Sequence, residues 1–137
     1  MSRILGVDYG ERRIGLALSD PFGIIAKPLT VIDRKKTPDY LSAILETAKE
    51  KDVNKIVVGV PFTLKGEHSK QTDIVKNFID ELFTLGKIQI IPIDERLSSV
   101  AAERSLQLQG VKTGHEKGRV DETAAAIILQ EYLDSQS

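Results

Sequence analysis

Four acidic residues stand where chemistry could use them: Asp8, the adjacent pair Asp94 and Glu95, and Asp121. Asp8 closes one short apolar run, Asp94 and Glu95 close another, and Asp121 opens a stretch with helical periodicity. Carboxylates brought close together repel, which makes a bound cation the natural way to keep a converging set of this kind ionised. The chain has no cysteine, which excludes disulfides, thiolate metal sites and cysteine nucleophiles. Any metal is therefore held by oxygen or by the two histidines. His68 and His115 lack metal-ligand spacing and read as solvated loop residues.

Each acid also has an ordinary structural reading. Asp8 lies in Gly6-Val7-Asp8-Tyr9-Gly10, and an aspartate beside glycine often only shapes a turn. On the functional reading Asp8 ligates the metal, and Gly10 leaves room for a phosphate to approach the backbone. Asp121 shares a helical stripe with Ala125, Ile128 and Tyr132, which would aim its carboxylate at the core. Together with Glu122 it could instead complement a helix dipole. Arg96 could anchor one of the neighbouring carboxylates, hold a substrate phosphate through its fork, or form a surface ion pair. Lys65, Lys70, Lys112, Lys117 and Arg119 flank two loops and form either a phosphate track or a solubilising surface. Ser98 and Ser99 read as caps of a following helix.

The elements that must position these groups follow from periodicity. Residues 3–9 and 13–19 are apolar runs joined by Gly10-Glu11-Arg12, a β-hairpin, and residues 27–32 form a third strand. Thr37-Pro38-Asp39 supplies an N-cap, a first-turn proline and an early acid for a helix running to about Asp52. Residues 55–60 are a β-branched run typical of a strand buried on both faces. A second helix carries Ile74, Val75, Phe78, Ile79 and Leu82 and ends at Gly86. Residues 88–93 read as a further buried strand, with a bulge expected at Pro92, which leaves open whether Asp94 or Glu95 points into the site. A helix through Val100 and Leu108, a mobile loop over 111–119 and a last helix over about 120–134 complete the chain. This order implies one α/β domain spanning residues 1–137, a mixed five-stranded sheet with helices on both faces. Such sheets place their sites beyond the carboxyl ends of the strands, where the acids lie.

Composition fits that picture: 137 residues, 41% hydrophobic and 28% charged, are the size and balance of one globular domain. No apolar stretch is long enough for a membrane span, and a cytoplasmic protein without a membrane partner is expected. A net charge of −1 argues mildly against a nucleic-acid partner. Bound metal would supply positive charge that this count omits.

Taken together, Gly6-Val7-Asp8-Tyr9-Gly10, Arg13-Ile14-Gly15-Leu16-Ala17, Val58-Gly59-Val60-Pro61 with Gly66, Asp94-Glu95-Arg96-Leu97-Ser98 and Val120-Asp121-Glu122-Thr123-Ala124-Ala125 resemble the YqgF/RuvX family, in order and over nearly the whole chain. The resemblance implies an RNase H-like fold and a Mg2+- or Mn2+-dependent nuclease. Its implied substrate is the 5′ end of the small-subunit ribosomal RNA precursor or, alternatively, a branched DNA junction. Ribosomal particles are a further implied partner, with the chain a monomer or homodimer. By position, Asp8 matches the first-strand aspartate, Asp94 and Glu95 the acidic pair, and Asp121 the aspartate of the last helix. The mechanism would be two-metal hydrolysis, with ions about 4 Å apart and no protein nucleophile. Two rivals remain. A Gly-x-Asp-x-Gly hairpin also binds ATP phosphates in the actin and sugar-kinase fold, but there two such domains are needed. A non-catalytic nucleic-acid-binding or ribosome-assembly factor could also retain the fold.

Overall fold

Along β1 (Arg3–Tyr9) Leu5, Val7 and Tyr9 point to one side of a sheet and Gly6 and Asp8 to the other, and all five are buried. This is the middle strand of five. The computed structural model describes residues 2–61, 69–95 and 114–136, with the side chains of 114–122 outside that description. Following β1 are β2 (Arg13–Ser19), β3 (Ala26–Asp33), α1 (Tyr40–Glu50), β4 (Val53–Val60), α2 (Lys70–Gly86), β5 (Gln89–Asp94) and α3 (Gly114–Ser135). The sheet order is β3-β2-β1-β4-β5, antiparallel through β2 and β3 and parallel through β4 and β5.

Two apolar layers enclose this sheet. Leu5, Val7, Tyr9, Ile14, Leu16, Ile56, Val58 and Val60 pack against Ile44 of α1 and Val75, Phe78 and Leu82 of α2. On the opposite face Ala17 and Val57 pack against Ala124, Ala125, Ile128, Leu129, Tyr132 and Leu133 of α3. The expected mixed five-stranded sheet with helices on both faces is the architecture observed. Both β1 and β4 are buried throughout their carboxyl halves, and Asp8 is the one charged residue in those stretches.

The structure corrects several local expectations. The strand expected as buried at 88–93 is β5, an edge strand only partly covered. Pro92 causes no bulge, because it stays in register with Val58. An edge position tolerates its missing N–H. The cap of α1 is Asp39, whose carboxylate accepts from the Ser42 N–H at 3.4 Å, rather than Thr37. The loop expected over 111–119 is helical from Gly114 onward, continuous with α3. Lysine, glutamate and arginine are good helix formers, so low apolar content did not decide that segment. The helix expected through Val100 and Leu108 falls outside the described residues.

Candidate active site

Asp8 sits opposite Gly15 in the β1–β2 ladder and is 2% exposed, the most deeply buried acid described. It shares its side of the sheet with Gly6, against which α3 packs so closely that a Cβ there would lie 2.8 Å from Leu129 Cβ and 2.9 Å from the Ala125 carbonyl oxygen. Glu95 joins Asp8 on this face. A Cβ on Gly59 would meet Ile128 Cδ1 at 2.5 Å, Glu95 Oε1 at 3.0 Å and Glu95 Cγ at 3.2 Å, so the Glu95 side chain lies over Gly59 beside α3. Asp94 is in register with Val60, which belongs to the α1/α2 layer. Alternation therefore separates the acidic pair: Glu95 faces the Asp8 side and Asp94 the other.

Asp121 belongs to the α3 backbone, one turn before Ala125. The Gln130 side chain accepts from the Ala26 N–H and donates to the Ile24 carbonyl, both at 2.9 Å, pinning the carboxyl half of α3 to the start of β3. From there the helix climbs past Gly6 toward the Asp8 end of the sheet. Four residues of helix rise about 6 Å, close to the advance of two strand residues from Gly6 to Asp8. Burial of Ala125, Ile128 and Tyr132 shows that the stripe expected to include Asp121 does face the core. Lys117 and Arg119 lie on the same helix, while Arg96 and Lys112 lie outside the described residues. Among the described residues no three acids or histidines are gathered into a metal-binding group.

Gly10 serves the hairpin itself. Its N–H donates to the Arg13 carbonyl at 3.0 Å, and a Cβ would lie 2.4 Å from that same oxygen. The turn accounts for the glycine without a ligand.

Sequence reading missed what holds this turn. The Arg34 backbone N–H donates to the Arg12 carbonyl at 2.8 Å, and Arg34 Nη1 donates to the carbonyls of Gly10 at 3.0 Å and Glu11 at 2.8 Å. Its guanidinium also stands 4.9 Å from the ring centre of Tyr9 and 4.8 Å from that of Tyr40. Tyr9 in turn stacks on Phe78 at 4.0 Å and shares a 3.0 Å hydroxyl contact with Tyr40. Tyr9 is therefore a core residue, while Phe22, 71% exposed, stands at the far end of the sheet from Asp8. A second missed device is the capping box of α2, in which Ser69 and Thr72 exchange side-chain-to-backbone hydrogen bonds. Thr72 also donates to the Pro61 carbonyl, tying the helix start to the end of β4. Threonine stands where the usual sequence signature has glutamate or glutamine, which hid the box.

Burial, and then the Tyr40 hydroxyl, push the Tyr9 phenol up to about 12, although Arg34 opposes the rise. The folded protein thus keeps this proton where an unfolded chain releases it near the usual value of 10. Stability should be unaffected below about pH 10 and fall by up to about 2 kcal/mol as pH rises toward 12. Denaturant melts of wild type and Tyr9→Phe across that window test this: the variant should lose less stability over the interval.

A buried carboxylate at the end of the central strand, a second one reaching over the next strand and a helix closing above them define an RNase H-like α/β domain with an acidic face. The family model described as "RuvX: Holliday junction resolvase" matches residues 2–135, and the chain belongs to this YqgF/RuvX family. It is 45% identical over 134 residues to a protein of Roseiflexus sp. (strain RS-1) named "Putative pre-16S rRNA nuclease", covering 98% of this chain and 95% of that one. A Fusobacterium nucleatum protein of the same name is 43% identical over 136 residues, covering 98% of each. Among solved structures, T. thermophilus RuvC in complex with Holliday junction substrate aligns with TM-score 0.59 at 12% identity, covering 99% of this chain and 96% of that one. The Fowlpox virus resolvase with its junction DNA aligns with TM-score 0.58 at 14% identity, covering 98% of each. At such identities the likeness establishes the fold alone. Family membership supports a nuclease role.

Proposed function

We propose that this protein is a divalent-metal-dependent nuclease that hydrolyses phosphodiesters in the 5′ region of the small-subunit ribosomal RNA precursor. The observation carrying this reading is the placement of Asp8 and Glu95 on one face, the former almost without solvent contact. Two carboxylates on one face of the sheet are the donor chemistry of a cation site. The donors described there, Asp8 and Glu95, are carboxylate oxygens, which suits Mg2+ or Mn2+. Asp8 and Glu95 would hold the metal, with Asp121 completing the set from α3. When bound, such ions activate water and stabilise the leaving oxygen of an in-line displacement. Arg96, Lys112, Lys117 and Arg119 are the remaining candidates for substrate phosphates, on or before α3. Relatives bearing the pre-16S rRNA name favour the RNA substrate. Among the described residues no helix is long and apolar enough to cross a membrane.

The direct test incubates the protein with Mg2+ or Mn2+ and, in parallel, a ribosomal RNA precursor carrying its 5′ extension and a four-way DNA junction. Metal-dependent shortening of the precursor is expected. Selective junction cleavage would instead assign a resolvase, and binding without cleavage of either would favour an assembly factor. The separation of Asp94 from Glu95 adds a sharper expectation. Glu95→Gln should lower the cleavage rate by about 100-fold or more, whereas Asp94→Asn should stay within about tenfold of wild type. Equal losses in single-turnover rate would remove the assignment of Glu95 as the ligand of the pair.

A further inference from the structure

On the opposite side of the sheet from Asp8, a cavity of about 540 Å3 opens at the same strand ends, lined by Tyr9, Glu11, Arg34, Lys70, Gln71 and Ile74. Its geometry is not that of a purely structural arginine. Arg34 spends a single nitrogen, Nη1, on the Gly10 and Glu11 carbonyls. The Tyr9 and Tyr40 rings flank the guanidinium at 4.9 and 4.8 Å, and among the described residues it makes no ion pair with a carboxylate. Nη2 and Nε make no hydrogen bond among the described residues, leaving donors on a cation that is already immobilised. Such a group loses little conformational freedom on gripping an anion, and the arginine fork suits phosphate oxygens. Lys70, in the first turn of α2, supplies a second positive charge from across the cavity. Glu11 at the rim works against both.

We propose that this cavity is a phosphate-binding subsite for the nucleic-acid strand, with Arg34 and Lys70 gripping a phosphodiester that lies beyond the hairpin turn from the carboxylate site. The assignment rests on the nuclease reading above. A strand crossing the sheet edge would be held on one side by the metal site and on the other by this cation pair, with Gly10-Glu11-Arg12 as the ridge between. Arg34 would couple the two, because it also holds the turn that follows Asp8 and Tyr9.

The test measures equilibrium binding against salt in an Asp8→Asn background, which prevents turnover, with Mg2+ present. Fluorescent probes are the 5′-extended ribosomal RNA precursor and the four-way DNA junction. Each phosphate contact contributes about one to the slope of log affinity against log salt. Lys70→Gln and Arg34→Gln should each reduce that slope by about one on the probe that is the true ligand, and Glu11→Gln should tighten binding about twofold. A merely structural Arg34 would lower the melting temperature of its variant without changing the slope. Lys70 is exposed on the surface of α2, so its variant reports on phosphate contact without endangering the fold. An unchanged slope for Lys70→Gln, with the parent still binding, overturns the subsite and leaves the nuclease reading intact. If the parent binds neither probe and the unmutated protein cleaves neither, both readings fall together.

Discussion

Asp8→Asn is expected to reduce metal-dependent cleavage by at least about 1,000-fold and to abolish most of the thermal stabilisation that added Mg2+ gives the wild type. The two halves of this expectation have one cause. Asp8 is buried at the end of the central strand, on the face it shares with the Glu95 side chain. Two negative charges on one face supply affinity for a divalent cation. Asparagine keeps the shape and an oxygen donor but removes the charge. The resulting loss of several kcal/mol of transition-state stabilisation corresponds to three or more orders of magnitude in rate. Added Mg2+ should raise the melting temperature of wild type and leave that of the variant nearly unchanged, since only a state that binds the ion gains from it. A variant that cleaves at the wild-type rate, or that gains the same thermal shift with Mg2+, would remove Asp8 from the metal site.

How much of this site could be read beforehand depended on the range over which each decision is made. The β1–β2 hairpin was legible to the residue, because alternation and the Gly10 turn are local signals. The inward stripe of α3 was legible as well, since helical spacing alone groups Ala125, Ile128 and Tyr132. The choice between Asp94 and Glu95 was not, because it turns on whether Pro92 shifts the register. That is settled by β5 being an edge strand, a property of the sheet order and not of the segment. Arg34 was invisible for a related reason. Its value lies in contacts with Gly10, Glu11, Tyr9 and Tyr40, and no spacing rule links those positions. The beginning of α3 was hidden because charged residues suit an exposed helical turn and a polar loop equally.

The packing of α3 on the two glycines leads to the second large effect, in which identical substitutions should have different consequences. Gly6→Ala places its methyl group against Leu129 Cβ and the Ala125 carbonyl oxygen, both close to the helix backbone. Neither atom can rotate away, so α3 must lift from β1. Overpacking of this kind costs about 2–3 kcal/mol. For a domain of this size that is a fall of roughly 10 °C in melting temperature. Activity should fall with it, because the lifted helix carries the Asp121 backbone. Gly59→Ala meets instead the far end of Ile128 and the Glu95 side chain. Rotation of Ile128 can relieve most of the steric cost, leaving about 1 kcal/mol. Glu95 has to shift, however, so the rate should drop by about tenfold or more, out of proportion to the stability change. Adding Ile128→Val to Gly59→Ala removes the Cδ1 atom that lies 2.5 Å from the new methyl and should restore stability without restoring the rate. The same change beside Gly6→Ala should restore nothing. Melting temperatures and single-turnover rates for the two alanine variants, each with and without Ile128→Val, form the decisive set. If activity tracks stability in all four, the glycines only fit helix to sheet, and Gly59 plays no part in placing Glu95.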